Sequence, residues 1–111
     1  MKAMVPKGPS MNEMLKQAQK MQEEMQNKQA ELEEREYEVS AGGGVVKVKI
    51  NGKREILSMD IAEEIVDPDD IETLSDIIVA AVNEAIKKVN TTTDEEMAKI
   101  SGPLGMGGGL F

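Results

Sequence analysis

The chain contains no cysteine and no histidine. That excludes disulfides, thiolate chemistry, Ser-His-Asp and Cys-His nucleophilic sites, and nearly all zinc sites. Aromatic residues are almost absent as well, with only Tyr37 and Phe111. A lone subunit of this size therefore has little with which to fill a core, and no row of rings on which single-stranded bases could stack. The longest apolar run, Ile77 to Val82, is far short of the roughly 20 residues that span a bilayer. The first residues, Met1 to Lys7, lack the apolar stretch of a signal peptide. The glycines of the tail neither follow a strand nor open a helix beside a Walker lysine, so no nucleotide loop is expected. Carboxylate pairs such as Glu63-Glu64 and Asp69-Asp70 sit where helix caps belong. The expectation is a single cytoplasmic domain with no catalytic residue, cofactor or metal, no membrane and no small-molecule substrate.

What the chain does have is methionine. From Ser10 to Glu38 there is neither proline nor glycine, and Met11, Met14, Ala18, Met21, Met25 and Leu32 recur at steps of three and four. Such spacing lines one narrow face of a long helix, here a 10–38 arm of roughly 42 Å. Ser10-Met11-Asn12-Glu13 has the form of a capping box. In heptad terms Lys28 falls at a core position, where a charge is costly, and marks a place where the seam opens or the partner diverges. No other element is expected to be long enough to cover this stripe. A second subunit or a partner is therefore expected on it.

A β region follows. Tyr37 to Ala41 alternates, Gly42-Gly43-Gly44 turns the chain, and Val45 to Ile50 is the best strand pattern present. Asn51-Gly52 is the strongest short hairpin signal and predicts a two-residue turn. That register sets Lys49 opposite Arg54 and Val46 opposite Leu57. It places Lys47, Lys49 and Arg54 on one face, and Val46, Val48, Ile50, Leu57 and Met59 on the other. The basic face then either serves an anion or is a solvated surface. The second helix is predicted to start at Asp67-Pro68-Asp69-Asp70. Its apolar set runs nearly all round between Ile77 and Val82, which calls for burial on two sides. Thr91-Thr92-Thr93 interrupts the pattern, and Thr93-Asp94-Glu95-Glu96 could restart a short helix through Ile100. The fold class is α+β, in the order α-β-β-β-α. Residues 1–9 form a flexible N-terminus, 10–100 one domain, and 101–111 a flexible glycine-rich tail.

The net charge of −8 opposes loose association with nucleic acid. It is unevenly spread, however. Residues 1–20 carry four lysines against Glu13, and residues 41–54 carry Lys47, Lys49, Lys53 and Arg54 with no acid. At physiological salt the screening length is ~8 Å, so such zones can act locally. Clustering singles out Lys16, Lys20, Lys47, Lys49, Lys53, Arg54, Lys87 and Lys88 as candidate phosphate contacts. Met14, Met21, Met25, Ile77, Ile78 and Val82 are the candidate dimer contacts.

Several segments, taken in order, resemble the YbaB/EbfC family of bacterial nucleoid-associated proteins. They are Met14-Leu15-Lys16-Gln17-Ala18-Gln19-Lys20-Met21-Gln22, Ala41-Gly42-Gly43-Gly44-Val45-Val46-Lys47-Val48, Ile50-Asn51-Gly52, Val66-Asp67-Pro68-Asp69-Asp70, Val82-Asn83-Glu84-Ala85 and the terminal Gly109-Leu110-Phe111. The resemblance implies a tweezer-like homodimer that binds double-stranded DNA in the nucleoid with low sequence preference, alters its conformation and affects gene expression. It supplies no compact motif of binding residues. The competing expectation is a protein-interaction module that clasps a partner with its methionine-lined arms and needs no nucleic acid.

Overall fold

The structure, a computed structural model, describes the backbone of residues 10–108 and the side chains of residues 10–102. The first helix, α1, spans Met11–Glu34. Ser10 caps it, its hydroxyl accepting from the Glu13 amide at 3.1 Å. It ends four residues earlier than the apolar spacing suggested. Arg35 turns extended, and Tyr37 enters the sheet opposite Ile50, where its ring is buried. Strands β1 (Glu36–Ala41), β2 (Val46–Asn51) and β3 (Ile56–Ile61) form an antiparallel meander with β2 in the centre. A short 3-10 helix follows at Glu63–Ile65, and α2 runs Ile71–Gly108. Among the described residues no helix is long and apolar enough to cross a membrane.

The inner row of β2, Val46, Val48 and Ile50, meets Ala81, Ala85 and Val89 of α2, and all six are fully buried. The alanines recur every four residues on one helix face and let the helix lie close to the sheet. Because α2 sits over β1 and β2, β3 is left largely uncovered. Ile56, Leu57 and Ile61 are exposed there.

Three expectations are corrected by the fold. The hairpin turn is not a two-residue turn: Asn51 and Glu55 close a three-residue loop, with Arg54 in the left-handed region at φ 67. The register therefore shifts. Lys49 pairs with Ser58 and Val46 with Ile61, and a bulge between Lys49 and Ile50 leaves Leu57 unpaired and exposed. Gly52 is required for another reason. A side chain there would run into the Leu32 carbonyl and the Cα of Glu33, where the end of α1 crosses the hairpin.

The second correction concerns α2, which does not break at Thr91-Thr92-Thr93. β-branched residues weaken a helix by only a few tenths of a kcal/mol each, and tertiary packing overrides that. Thr92 and Thr93 are half-buried. The helix start also moves. Asp67 uses its carboxylate in a local turn with the Asp69 amide, and Asp70 caps the helix by accepting from Thr73. Residues 101–108, expected as part of a tail, are helical in backbone, whereas 1–9 and 109–111 lie outside the described residues.

The third correction follows from the second. At 38 residues, α2 is longer than α1 and covers part of it. Leu32 is buried, Met21 and Met25 on the same face are half-buried, and only the N-terminal part of the stripe, with Met11, Met14, Leu15 and Ala18, is exposed.

Candidate nucleic-acid interface

Where α1 lies antiparallel along α2, its cations are tied down. Glu96 of α2, only 16% exposed, accepts from Lys99 at 2.7 Å, from Lys28 at 3.4 Å and from Arg35 at 3.4 Å. Glu31 completes the cluster with Lys28 at 3.2 Å and with the Nε and one terminal nitrogen of the Arg35 guanidinium. Hydrogen bonding from Lys99, joined by Lys28, holds the Glu96 carboxyl down at about 2. Glu31 is lowered chiefly by Arg35, and Lys28 is raised chiefly by Glu31. Lys28, which the heptad reading placed as a costly charge in the seam, is thus compensated by Glu31 of its own helix and by Glu96 of α2.

The eight candidate phosphate contacts behave differently. Among the described residues, seven of them make no ion pair with a carboxylate, while Lys28, Arg35 and Lys99 all do. The exception is Lys49, which is 3.8 Å from Glu36. Lys16 and Lys20 stand on the exposed half of α1. Lys47 and Lys49 lie on the outer sheet face, as expected, but the observed register surrounds them with Glu38, Ser40, Ser58 and Asp60. That face is mixed in charge, not basic.

Arg54 does not join Lys47 and Lys49. Its Nε donates to the Asn90 side chain of α2 at 2.7 Å, beside Lys53 at the hairpin tip. On α2, Lys88 donates to the Glu38 carbonyl of β1 at 3.2 Å, and Lys87 is exposed. The eight residues therefore do not converge on one patch. They form an arm pair, a sheet-face pair and a group at the hairpin tip and the adjoining turn of α2. Asn90 was not singled out from the sequence, because its contact depends on a register that no local pattern encodes.

The acidic charge is also localised. Between Asp60 and Asp76, at the end of β3, the 3-10 helix and the first turns of α2, there are eight carboxylates and no base. The rest of the chain holds 13 acidic and 13 basic residues. The whole net charge thus belongs to one end of the body. The arm and the hairpin tip lie outside that stretch, which eases the conflict between −8 and a polyanionic ligand.

Of the candidate dimer contacts, Met14 is exposed, and Met21, Met25, Ile78 and Val82 are half-buried or nearly so. Ile77 packs at the glycine turn, where a Cβ on Gly42 would stand 3.0 Å from it. The Lys88 contact fixes the flank of α2 that faces β1. At 100° per residue, Ile71, Val79, Val82 and Ile86 fall on the opposite flank, beside the uncovered β3. Ile71 and Val79 are more than half exposed. Ile61 of β3 is exposed as well.

A profile for the YbaB/EbfC DNA-binding family matches residues 7–104. The chain belongs to the YbaB/EbfC DNA-binding family. A nucleoid-associated protein of Clostridium novyi is 54% identical over 101 residues, covering 91% of this chain and 89% of that one. Another, of Alkaliphilus metalliredigens, is 50% identical over 100 residues, covering 90% and 88%. An uncharacterized protein of Helicobacter pylori shares the fold, with a TM-score of 0.68 at 18% identity over 84% of this chain and 98% of that one. In this YbaB/EbfC member the α-β-β-β-α order expected from the sequence is the order observed.

Proposed function

We propose that this chain is a nucleoid-associated protein that binds duplex DNA as a homodimer, through phosphate contacts rather than base edges. The observation that carries this reading is the division of its cations. Those against α2 are consumed by Glu31 and Glu96, while seven others make no ion pair among the described residues, and six of these, all but Lys47 opposite Asp60, stand away from the acidic stretch. Membership of a DNA-binding family and the names of its relatives support the ligand. No recognition helix with base-reading side chains is evident among the described residues, so sequence preference is low and shape matters more. Two arms on one dimer would engage separate phosphate runs and so alter the path of the duplex, which is the route proposed to nucleoid organisation and gene expression.

The second copy is proposed to cover Ile61, Ile71, Val79 and Val82, together with the half-buried Ile78. Met14, Met21 and Met25 extend the contact along the arms. The test combines solution mass with duplex binding across a salt series. The wild-type chain is expected to sediment as a dimer and to bind with log K falling by ~0.9 per phosphate neutralised. Val79→Asp sits on an exposed position. It should leave the subunit folded, produce a monomer and weaken duplex binding at least tenfold, because only one subunit then engages the duplex at a time. A wild-type chain that fails to bind duplex at low salt would retire the reading.

A further inference from the structure

The hairpin tip carries a feature that stability alone does not explain. Arg54 is the one non-glycine residue with positive φ among the described residues. The third position of such a loop is where glycine ordinarily sits, because a Cβ strains the left-handed conformation. The loop does not need an arginine to close. Asn51 closes it already, accepting from the Lys53 amide at 2.9 Å and the Glu55 amide at 3.1 Å. The Arg54 guanidinium is nevertheless held, through Nε, by the Asn90 side chain at 2.7 Å. Its terminal nitrogens make no hydrogen bond or ion pair among the described residues. Glu33 lines the same cleft, with Thr93 and Met97, yet forms no ion pair with Arg54. Lys53 is its chain neighbour, and Lys87 lies one helical turn before Asn90, about 5–6 Å away at Cβ. Arg35 offers the contrast, since its Nε and one terminal nitrogen are both taken by Glu31, and that terminal nitrogen also meets Glu96.

We infer that Arg54 is a pre-oriented phosphate ligand for the duplex backbone and that Asn90 is its positioning residue. Fixing Nε leaves the two terminal nitrogens free as a fork for a bidentate phosphate contact, with no rotamer search on binding. The left-handed strain is retained because the position serves the ligand and not the loop. This rests on the DNA-binding reading above.

The test measures affinity for a mixed-sequence duplex across a salt series, with melting curves on the same full-length proteins. Arg54→Gly keeps the backbone fit and removes the fork. It should fold at least as well as Arg54→Ala while binding roughly five- to tenfold more weakly, its salt slope reduced by about one phosphate per subunit. Asn90→Ala removes no charge. It should bind roughly three- to fivefold more weakly with the wild-type slope, because the cation remains and only its orientation is relaxed. Wild-type affinity in either variant overturns the inference while the wild-type protein still binds duplex. Failure of the wild-type protein to bind overturns the underlying reading instead.

Discussion

Lys16 and Lys20 stand on the exposed half of α1, whereas Lys28 stands on the half that lies against α2 and Arg35 caps its end. Both halves mix lysine, glutamine, glutamate and methionine. What separates them is the partner. One half meets Glu96 and a buried Leu32, and its cations are spent on internal structure. The other meets nothing of its own chain among the described side chains, so its charges and its methionines remain available. A composition that suggested one uniform arm thus resolves into a packed root and an open tip.

The largest effect is expected from breaking the root. In Gly52→Ala the new Cβ would collide with the Leu32 carbonyl and lie 2.7 Å from the Cα of Glu33. A backbone collision cannot be relieved by a rotamer change, so the folded state should lose about 3 kcal/mol in a denaturant titration. Gly43→Ala is the matched control. Its Cβ meets open space at φ 74, and only backbone strain of about 1 kcal/mol should remain.

A smaller effect comes from the Glu96 cluster. Its folded-state value of about 2 lies below the ordinary 4.5, so its contribution to stability is present above that ordinary value and lost as pH falls toward 2. Glu96→Gln should therefore lower the melting temperature at neutral pH. The gap from wild type should narrow between pH 4.5 and pH 2. A gap that stays constant across that window would show that the cluster's charge is not what secures the root. The smallest effect is expected on the outer sheet face. Lys47 and Lys49 are set among Glu36, Glu38 and Asp60. Replacing both with alanine should weaken duplex binding by less than about threefold, well below the effect of the arm lysines.

The element order was legible because it rests on periodicity. Three-and-four spacing over Met11–Leu32 and strict alternation over Val46–Ile50 each have one backbone solution. The Ser10 cap was legible because its chemistry is local. The hairpin signal was right about the existence of the turn and wrong about its type. Asn-Gly is read locally as a left-handed pair, but here the glycine answers to the end of α1 and the left-handed residue is Arg54. The one-residue consequence propagated along β3 and exposed Leu57. Thr91-Thr92-Thr93 misled in the same way. Propensity argued for a break, while packing of α2 against α1 and the hairpin maintained the helix. Of the candidate site, the residue types were legible and their grouping was not. Sequence clustering joined Arg54 to Lys47 and Lys49, and the fold joins it to Asn90.

The division between spent and available cations is tested most directly by the salt dependence of duplex affinity in two paired variants. One carries Lys16→Ala and Lys20→Ala, and the other carries Lys28→Ala and Lys99→Ala. Both remove two positive charges from each subunit. The account predicts that the first flattens the slope of log K against log salt by ~0.9 for each phosphate it no longer neutralises, with little change in melting temperature. The second should lower the melting temperature and leave the slope unchanged. Equal slopes in the two variants, or a larger flattening in the second, would contradict it.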